Sequence, residues 1–95
     1  MLTDNYWRVN CEVSVAFGTN LNLVKDILLE IANKHDDVVK SGRNKPVVLF
    51  TSFADSALTF QLWCMIKDVN KKSTVKSELN FSIEEAFRKH DISIT

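Results

Sequence analysis

The sequence of 95 residues contains only two glycines, one proline and two cysteines. Because the glycines stand alone at positions 18 and 42, neither a GxGxxG loop nor a Walker phosphate loop can be formed. Cys11 and Cys64 are too few for a disulfide scaffold, and they fit a reducing compartment on the cytoplasmic side. Dinucleotide-binding loops and disulfide-stapled secreted folds are therefore excluded.

An excess of charge of one sign is also missing. The 12 basic and 12 acidic residues balance to a formal net charge of zero, whereas a protein that binds the phosphate backbone needs a basic surplus. The stretch Ala57–Trp63 corresponds to the third strand of RNA-recognition modules. It lacks their glycine, their basic residue and their aromatic spacing. We therefore predict no nucleic-acid partner.

Long hydrophobic runs are absent as well. Uninterrupted apolar stretches such as Val47–Phe50 are far below the roughly 20 residues that a bilayer-spanning helix requires. Met1 is followed by neither a basic region nor an apolar core, so no signal peptide is predicted. What the chain does have is 45% hydrophobic and 25% charged residues, as expected for one globular domain of this length. Residues 1–5 are predicted to be a linker that precedes the domain.

Hydrophobic periodicity predicts the first half of the domain. Residues 6–17 alternate strictly, which is typical of a half-buried strand. One face of this strand is apolar and consists of Trp7, Val9, Cys11, Val13, Val15 and Phe17. The stretch 18–20 breaks the pattern, and Thr19 or Asn20 can cap a following helix. Apolar residues at helical spacing then predict a helix from Leu21 to about Lys34 or His35.

The second half contains a predicted hairpin, a second helix and a short last strand. Strands are expected at 47–53 and 57–66, a helix at 74–90, and a final strand at 92–94. The resulting order β-α-β-β-α-β predicts an α+β domain of the ferredoxin-like type. Such a domain has an antiparallel sheet with two helices on one face.

No constellation of residues predicts catalysis, a metal site or a cofactor. His35, His90, Cys11 and Cys64 lack the close ligand spacing of structural zinc sites. The histidines end the two helices, where a partly exposed cation is favoured by the helix dipole. The cysteines fall on predicted core faces of neighbouring strands. A disulfide could form between them on oxidation, but no role is assigned to it. The adjacent acids at 36–37 and 84–85 are interpreted as solvated surface.

One side of the predicted sheet has the apolar residues expected of an interaction surface. Trp63 and Met65 alternate with the apolar face formed by Leu58, Phe60 and Leu62, so they are expected on the side of the sheet away from the helices. The second strand is apolar on both faces. A sheet that is apolar on both sides needs a second cover. We therefore predict a subunit or inter-domain interface, and its candidate residues are Trp63, Met65, Val48 and Phe50. The alternative is that the ends of the chain itself cover this surface.

Three ordered segments resemble the C-terminal cytoplasmic domain of the small-conductance mechanosensitive channel (MscS) family, including its potassium-regulated branch. Arg8-Val9 and Val15-Ala16-Phe17-Gly18-Thr19-Asn20 resemble the family's Arg-Val and Val-Ala-Tyr-Gly-(Thr/Ser)-Asp. Residues 48–58, VLFTSFADSAL, resemble Val-x-Phe-Thr-x-Phe-Gly-(Asp/Ala)-Ser-(Ser/Thr)-(Val/Leu). Ser77-Glu78-Leu79-Asn80, followed by Ile83, Phe87 and Asp91-Ile92-Ser93-Ile94, resembles the family's last helix and strand.

The resemblance implies a structural role. Members of the family are heptameric inner-membrane channels that open under membrane tension and release solutes during hypo-osmotic shock. Their cytoplasmic vestibule contains a domain of this kind, which would neither conduct ions nor catalyse a reaction. Contact with the membrane is expected only through segments upstream of this stretch. The resemblance therefore implies a homo-oligomer at the cytoplasmic side of a bacterial inner membrane.

Two alternative function classes each require a feature that the sequence lacks. A regulatory ferredoxin-like domain that binds a small ligand would need a glycine-rich loop at an interface, and the sequence has none. An enzyme of the acylphosphatase type would need an anion-binding loop with a well-placed arginine after the first strand. Residues 18–20 do not provide that arginine.

Overall fold

The computed structural model describes residues 5–53 and 55–94. Its strands are β1 (Trp7–Ala16), β2 (Val47–Phe53) and β3 (Ala57–Ile66), and its helices are α1 (Leu21–Lys34) and α2 (Lys72–Lys89). Short 3₁₀ turns at Gly42–Asn44 and Val69–Lys71 precede β2 and α2. Most of the linker predicted at 1–5 lies outside the described residues, as does Ala54 of the predicted turn between β2 and β3.

The link from β1 to α1 forms as the sequence predicts. Gly18 has a φ of 89°, in the left-handed region that side chains rarely adopt. The Thr19 hydroxyl donates to the Ala16 carbonyl oxygen at 2.6 Å, which closes the turn. Asn20 is the N-cap of α1, and its Oδ1 accepts from the Leu23 amide at 3.2 Å. These contacts explain why the helix begins at Leu21.

The three strands form an antiparallel sheet in the order β1-β3-β2. Helix α2 packs on β1, and α1 packs on β2, on β3 and on α2. The α+β class and the placement of two helices on one face of an antiparallel sheet are confirmed. Val9, Cys11, Leu62 and Phe87 are among the buried residues of the single core between sheet and helices.

The predicted fourth strand is reduced to one bridge in the described part of the chain. Ile94 pairs with Val15 in antiparallel orientation, and the Ala16 amide donates to the Ser93 carbonyl oxygen at 3.2 Å. After α2 the backbone turns at Asp91, whose φ is 56°, so only a few described residues reach the edge of β1. This edge position beside β1 is where the ferredoxin-like order places its last strand.

No helix in the described residues is long and apolar enough to cross a bilayer.

Candidate interface on the sheet

The register of β3 with its neighbours defines the side of the sheet away from the helices, which we call the open face. On β3 the open face consists of Thr59, Gln61, Trp63 and Met65, which alternate with buried residues. Directly opposite these residues lie Arg8, Asn10, Glu12 and Ser14 of β1, and Val47, Leu49 and Ser52 of β2. Residues that pair directly across strands share a face of the sheet, so all eleven belong to the open face.

Trp63 lies at the centre of the open face, between Asn10 and Val47. Its indole N–H donates to Oε1 of Gln61 at 2.9 Å, so the one polar group of the ring is satisfied. The Arg8 guanidinium carbon is 4.1 Å from the indole centroid. A cation–π contact at an exposed position contributes about 0.5–1 kcal/mol. Trp63 is therefore held in a defined position while it remains only half-buried.

The β1 side of the open face is polar and hydrogen-bonded. Gln61 Oε1 accepts from Asn10 Nδ2 at 3.3 Å, and Gln61 Nε2 donates to Glu12 Oε2 at 3.2 Å. The other side combines Trp63 and Met65 with Val47 and Leu49. The open face is thus divided into an apolar half, formed by Val47, Leu49, Trp63 and Met65, and a polar half along β1.

The prediction that Val48 and Phe50 share a surface with Trp63 and Met65 is wrong. Val48 lies opposite Leu62 and Phe50 lies opposite Phe60, so both belong to the face that the helices cover. Val48 packs against the core, and the Phe50 ring stacks on Phe60 with centroids 5.0 Å apart. Because β2 is apolar on both faces, its alternation does not reveal which face is which.

A second apolar surface, near the end of β2, was not predicted from the sequence. Phe50 is 40% exposed and Phe53 is 74% exposed, and their ring centroids lie 4.9 Å apart in an edge-on arrangement. A β-bulge between Phe50 and Ser52 places Phe53 on the same side as Phe50. The strict alternation assumed for β2 would have put these rings on opposite faces.

His35 lies in a cluster of polar groups that the sequence did not indicate. Its Nε2 is 2.7 Å from Oε1 of Glu78 on α2, and its Nδ1 accepts from the Asp37 amide at 3.1 Å. The Lys71 ammonium lies 3.4 Å from Oδ1 of Asp37. His35 was predicted as a partly exposed cation at a helix end. It is the C-cap residue of α1 and also joins α1 to α2. His90 lies at the C-cap of α2.

Both cysteines are free and buried in the core. Burial, together with a smaller effect of the nearby Cys11, raises the pKa of the Cys64 thiol to about 12. Burial likewise raises the pKa of Cys11, against a smaller opposing effect of Lys76. Cys11 pairs with Leu62 and Cys64 with Val9, so the two cysteines are diagonal neighbours. Diagonal positions are about 7–8 Å apart, too far for a disulfide without backbone movement.

A surface depression along α2 does not resemble an enclosed ligand site. It has a volume of about 680 Å³ and is lined, among the described residues, only by α2. The lining residues are Ser73, Lys76, Ser77, Asn80, Phe81 and Glu84. Small-molecule sites are usually concave pockets that bury most of the ligand between several elements. The exposed outer surface of one helix does not provide such a pocket.

Comparison with known proteins identifies the family. The family model described as "Mechanosensitive ion channel MscS, C-terminal" matches residues 9–94. The chain belongs to the MscS family. The match includes β1 from Val9 onward, all of β2 and β3, both helices and Ile94, which bridges to β1. It confirms the resemblance seen in the sequence, and it places the chain in a family of mechanosensitive channels, which are membrane proteins, rather than in an enzyme class.

Individual MscS-family relatives agree with this assignment. The chain is 30% identical over 93 residues to an uncharacterized MscS family protein of Haemophilus influenzae, covering 98% of this chain and 8% of that protein. It is 33% identical over 93 residues to the mechanosensitive channel MscK of Escherichia coli, again covering 98% of this chain and 8% of the relative. This second similarity suggests the MscK-like branch of the family. The chain spans about 8% of the length of these relatives.

A solved structure shows the same fold. The closed state of Helicobacter pylori MscS superposes with a TM-score of 0.84 and 22% sequence identity, covering 95% of this chain and 35% of that one. At this level of identity the likeness concerns the fold. It shows that the arrangement of β1, β3 and β2 with two helices on one face is that of an MscS-family channel.

Proposed function

We propose that this domain is an assembly module in the cytoplasmic vestibule of a mechanosensitive channel of the bacterial inner membrane. In this proposal, the full-length protein forms a homo-oligomer, a heptamer, that releases ions and solutes under membrane tension. Membership of the MscS family supports the channel role, and the domain contributes structure rather than conduction or catalysis. The proposal rests most directly on the apolar half of the open face.

The apolar half of the open face has the composition of a protein interface. A large aromatic residue, Trp63, lies among aliphatic neighbours, and the hydrogen-bonded residues of β1 border it on one side. Aromatic residues with a polar surround are typical of the residues that contribute most to binding between proteins. Both helices pack on the opposite side of the sheet. We therefore propose that another subunit or the neighbouring domain covers Trp63, Met65, Val47 and Leu49.

The interface is tested with Trp63→Glu in the full-length channel, with oligomer size measured by native mass spectrometry. A carboxylate buried against an apolar surface is costly, so we expect the heptamer to dissociate. Phe81→Glu provides the matched control, because Phe81 is 77% exposed on α2, away from the sheet. An intact heptamer with Trp63→Glu would remove this residue from the interface.

The channel proposal has an independent test. The polypeptide upstream of Met1 is expected to contain transmembrane segments and a β-rich domain. A full-length sequence without them would contradict the channel role, whatever Trp63→Glu does to the oligomer.

A further inference from the structure

We propose that His35, Asp37 and Glu78 bind a divalent transition-metal ion, for which zinc is the appropriate probe. One imidazole nitrogen and two carboxylate oxygens, one donor atom from each residue, all lie within 4.8 Å of one another. They come from the end of α1, the loop that follows it, and the middle of α2. The inference concerns a site separate from the open face and does not depend on the proposed function.

The three donor atoms have to adjust their spacing around the ion. Zinc binds histidine nitrogen at about 2.0–2.1 Å and carboxylate oxygen at about 2.0–2.2 Å, so two ligands of one ion lie at most about 4.4 Å apart. Nε2 of His35 and Oε1 of Glu78 are hydrogen-bonded at 2.7 Å, so this pair has to move slightly apart to hold one ion between them. Asp37 is in the loop after the helix, and its carboxylate oxygen lies within 4.8 Å of the other two donor atoms.

The surroundings leave room for an ion to enter. Asp37 also lines a cavity of about 320 Å³ beside the cluster, together with Asp36, Asp68, Lys67 and Lys71. The carboxylates of Asp37 and Glu78 are partly exposed, so they can change partner without a buried charge being left alone. Three protein ligands with solvent access match an open zinc site in which water occupies the fourth position.

The proton on His35 has to move when the ion binds. Nδ1 accepts from the Asp37 amide, so in the neutral ring the proton lies on Nε2, which donates it to Glu78. A metal ion at Nε2 needs the lone pair of that nitrogen. The ring remains neutral if the proton transfers to Nδ1, and the contact with the Asp37 amide then opens. Metal binding therefore replaces two hydrogen bonds of His35, which gives the site a spectroscopic signature.

Lys71 competes with the ion. Its ammonium lies 3.4 Å from Oδ1 of Asp37, where it partly neutralises the carboxylate that would bind the metal. Removal of this positive charge should strengthen metal binding, because a like charge near a cation site is unfavourable.

Imidazole among the ligands favours zinc, nickel or copper over magnesium and calcium, which prefer sites formed only by oxygen.

Isothermal titration calorimetry of the chain with zinc chloride tests the site, with magnesium chloride for comparison. We expect one saturable zinc site and no magnesium binding. His35→Gln and Glu78→Gln should each weaken zinc binding by roughly 10-fold or more, and Lys71→Gln should strengthen it. The control is Glu84→Gln, a carboxylate of α2 that pairs with Arg88 at 2.7 Å, and it should leave the affinity unchanged. Equal affinities of the wild type, His35→Gln and Glu78→Gln would overturn the proposal, as would the absence of zinc binding.

Imidazole nitrogen NMR provides the second measurement and does not require a variant to fold. We expect the proton of His35 to transfer from Nε2 to Nδ1 when zinc is added. If the signals of His90 change while those of His35 do not, the ion binds at the end of α2 and the proposal is wrong.

Discussion

Nε2 of His35 lies 2.7 Å from Oε1 of Glu78, and this contact joins the C-terminal cap of α1 to the middle of α2. His35 is held from its other side by the Asp37 amide, so both ring nitrogens have partners. The pair therefore fixes the end of α1, the loop that follows and α2 relative to one another at the surface of the domain.

Loss of this contact should destabilise the domain measurably. Glu78→Ala removes the acceptor of the His35 N–H, and a hydrogen bond of this kind contributes about 0.5–1.5 kcal/mol to the free energy of unfolding. Urea denaturation without added metal measures the change. Glu84→Ala is the matched control, since its exposed pair with Arg88 should contribute about 0.5 kcal/mol or less. Equal losses for the two variants would show that the His35–Glu78 contact contributes no more to stability than the exposed Glu84–Arg88 pair does.

The N-cap of α1 gives a second prediction. Asn20→Ala removes the acceptor of the Leu23 amide and should lower the free energy of unfolding by about 0.5–2 kcal/mol. Asn20→Asp keeps an acceptor and adds a negative charge at a helix N-terminus, so it should be neutral or stabilising by about 0.3–1 kcal/mol. Thermal unfolding followed by circular dichroism separates the two. A similar loss in both variants would contradict the capping role.

Truncation of two phenylalanines of α2 should change the free energy of unfolding by very different amounts. Phe87 is 0% exposed and Phe81 is 77% exposed. Phe87→Ala should cost about 3–5 kcal/mol through lost burial and the cavity left behind, whereas Phe81→Ala should change the stability by about 0.5 kcal/mol or less. Guanidinium denaturation of both variants measures the difference. A large loss for Phe81→Ala would mean that this ring is not solvent-exposed in solution.

The raised pKa of the Cys64 thiol predicts that the free energy of unfolding falls at alkaline pH. Its pKa is raised from 9.0 to about 12 by burial, so the folded protein retains a proton that the unfolded chain releases. The resulting stability is fully present below about pH 9 and is lost as the pH rises towards 12. Over that window the slope is at most about 1.4 kcal/mol per pH unit.

The measurement compares the wild type with Cys64→Ala by denaturant unfolding at several alkaline pH values. Cys64→Ala is expected to be less stable at neutral pH because it leaves a small cavity, but its stability should fall less steeply with pH. Identical pH slopes would show that Cys64 does not titrate in this range. A thiol reagent should also react slowly with the native protein at neutral pH, since the group is protonated and buried.

Local pattern was sufficient to predict most of the fold. The bounds of α1, β2 and β3 follow from periods of 3.6 and 2 and from the turn residues between them, and β1 is one residue shorter at each end than predicted. The second helix begins at Lys72 because the 3₁₀ turn at Val69–Lys71 leads directly into it. That continuity depends on backbone geometry, which the polar composition of the segment does not reveal.

The candidate sites were harder to predict because they depend on pairing between distant parts of the chain. Trp63 and Met65 were placed on the open face because β3 alternates cleanly. Val48 and Phe50 were wrongly assigned to the same surface, since only the register with Leu62 and Phe60 shows which side of β2 they occupy. His35 and Glu78 are 43 residues apart, and nothing in local spacing predicts their contact.

The bulge between Phe50 and Ser52 also affects the tendency of the protein to aggregate in solution. β2 is the outer strand of the sheet, and a flat outer strand with apolar residues on both faces is a template for aggregation. An extra residue in such a strand increases its twist and interrupts its row of backbone donors and acceptors. Repair of the bulge by deletion of Thr51 should therefore produce a protein that forms fibres or precipitates at concentrations at which the wild type stays dispersed.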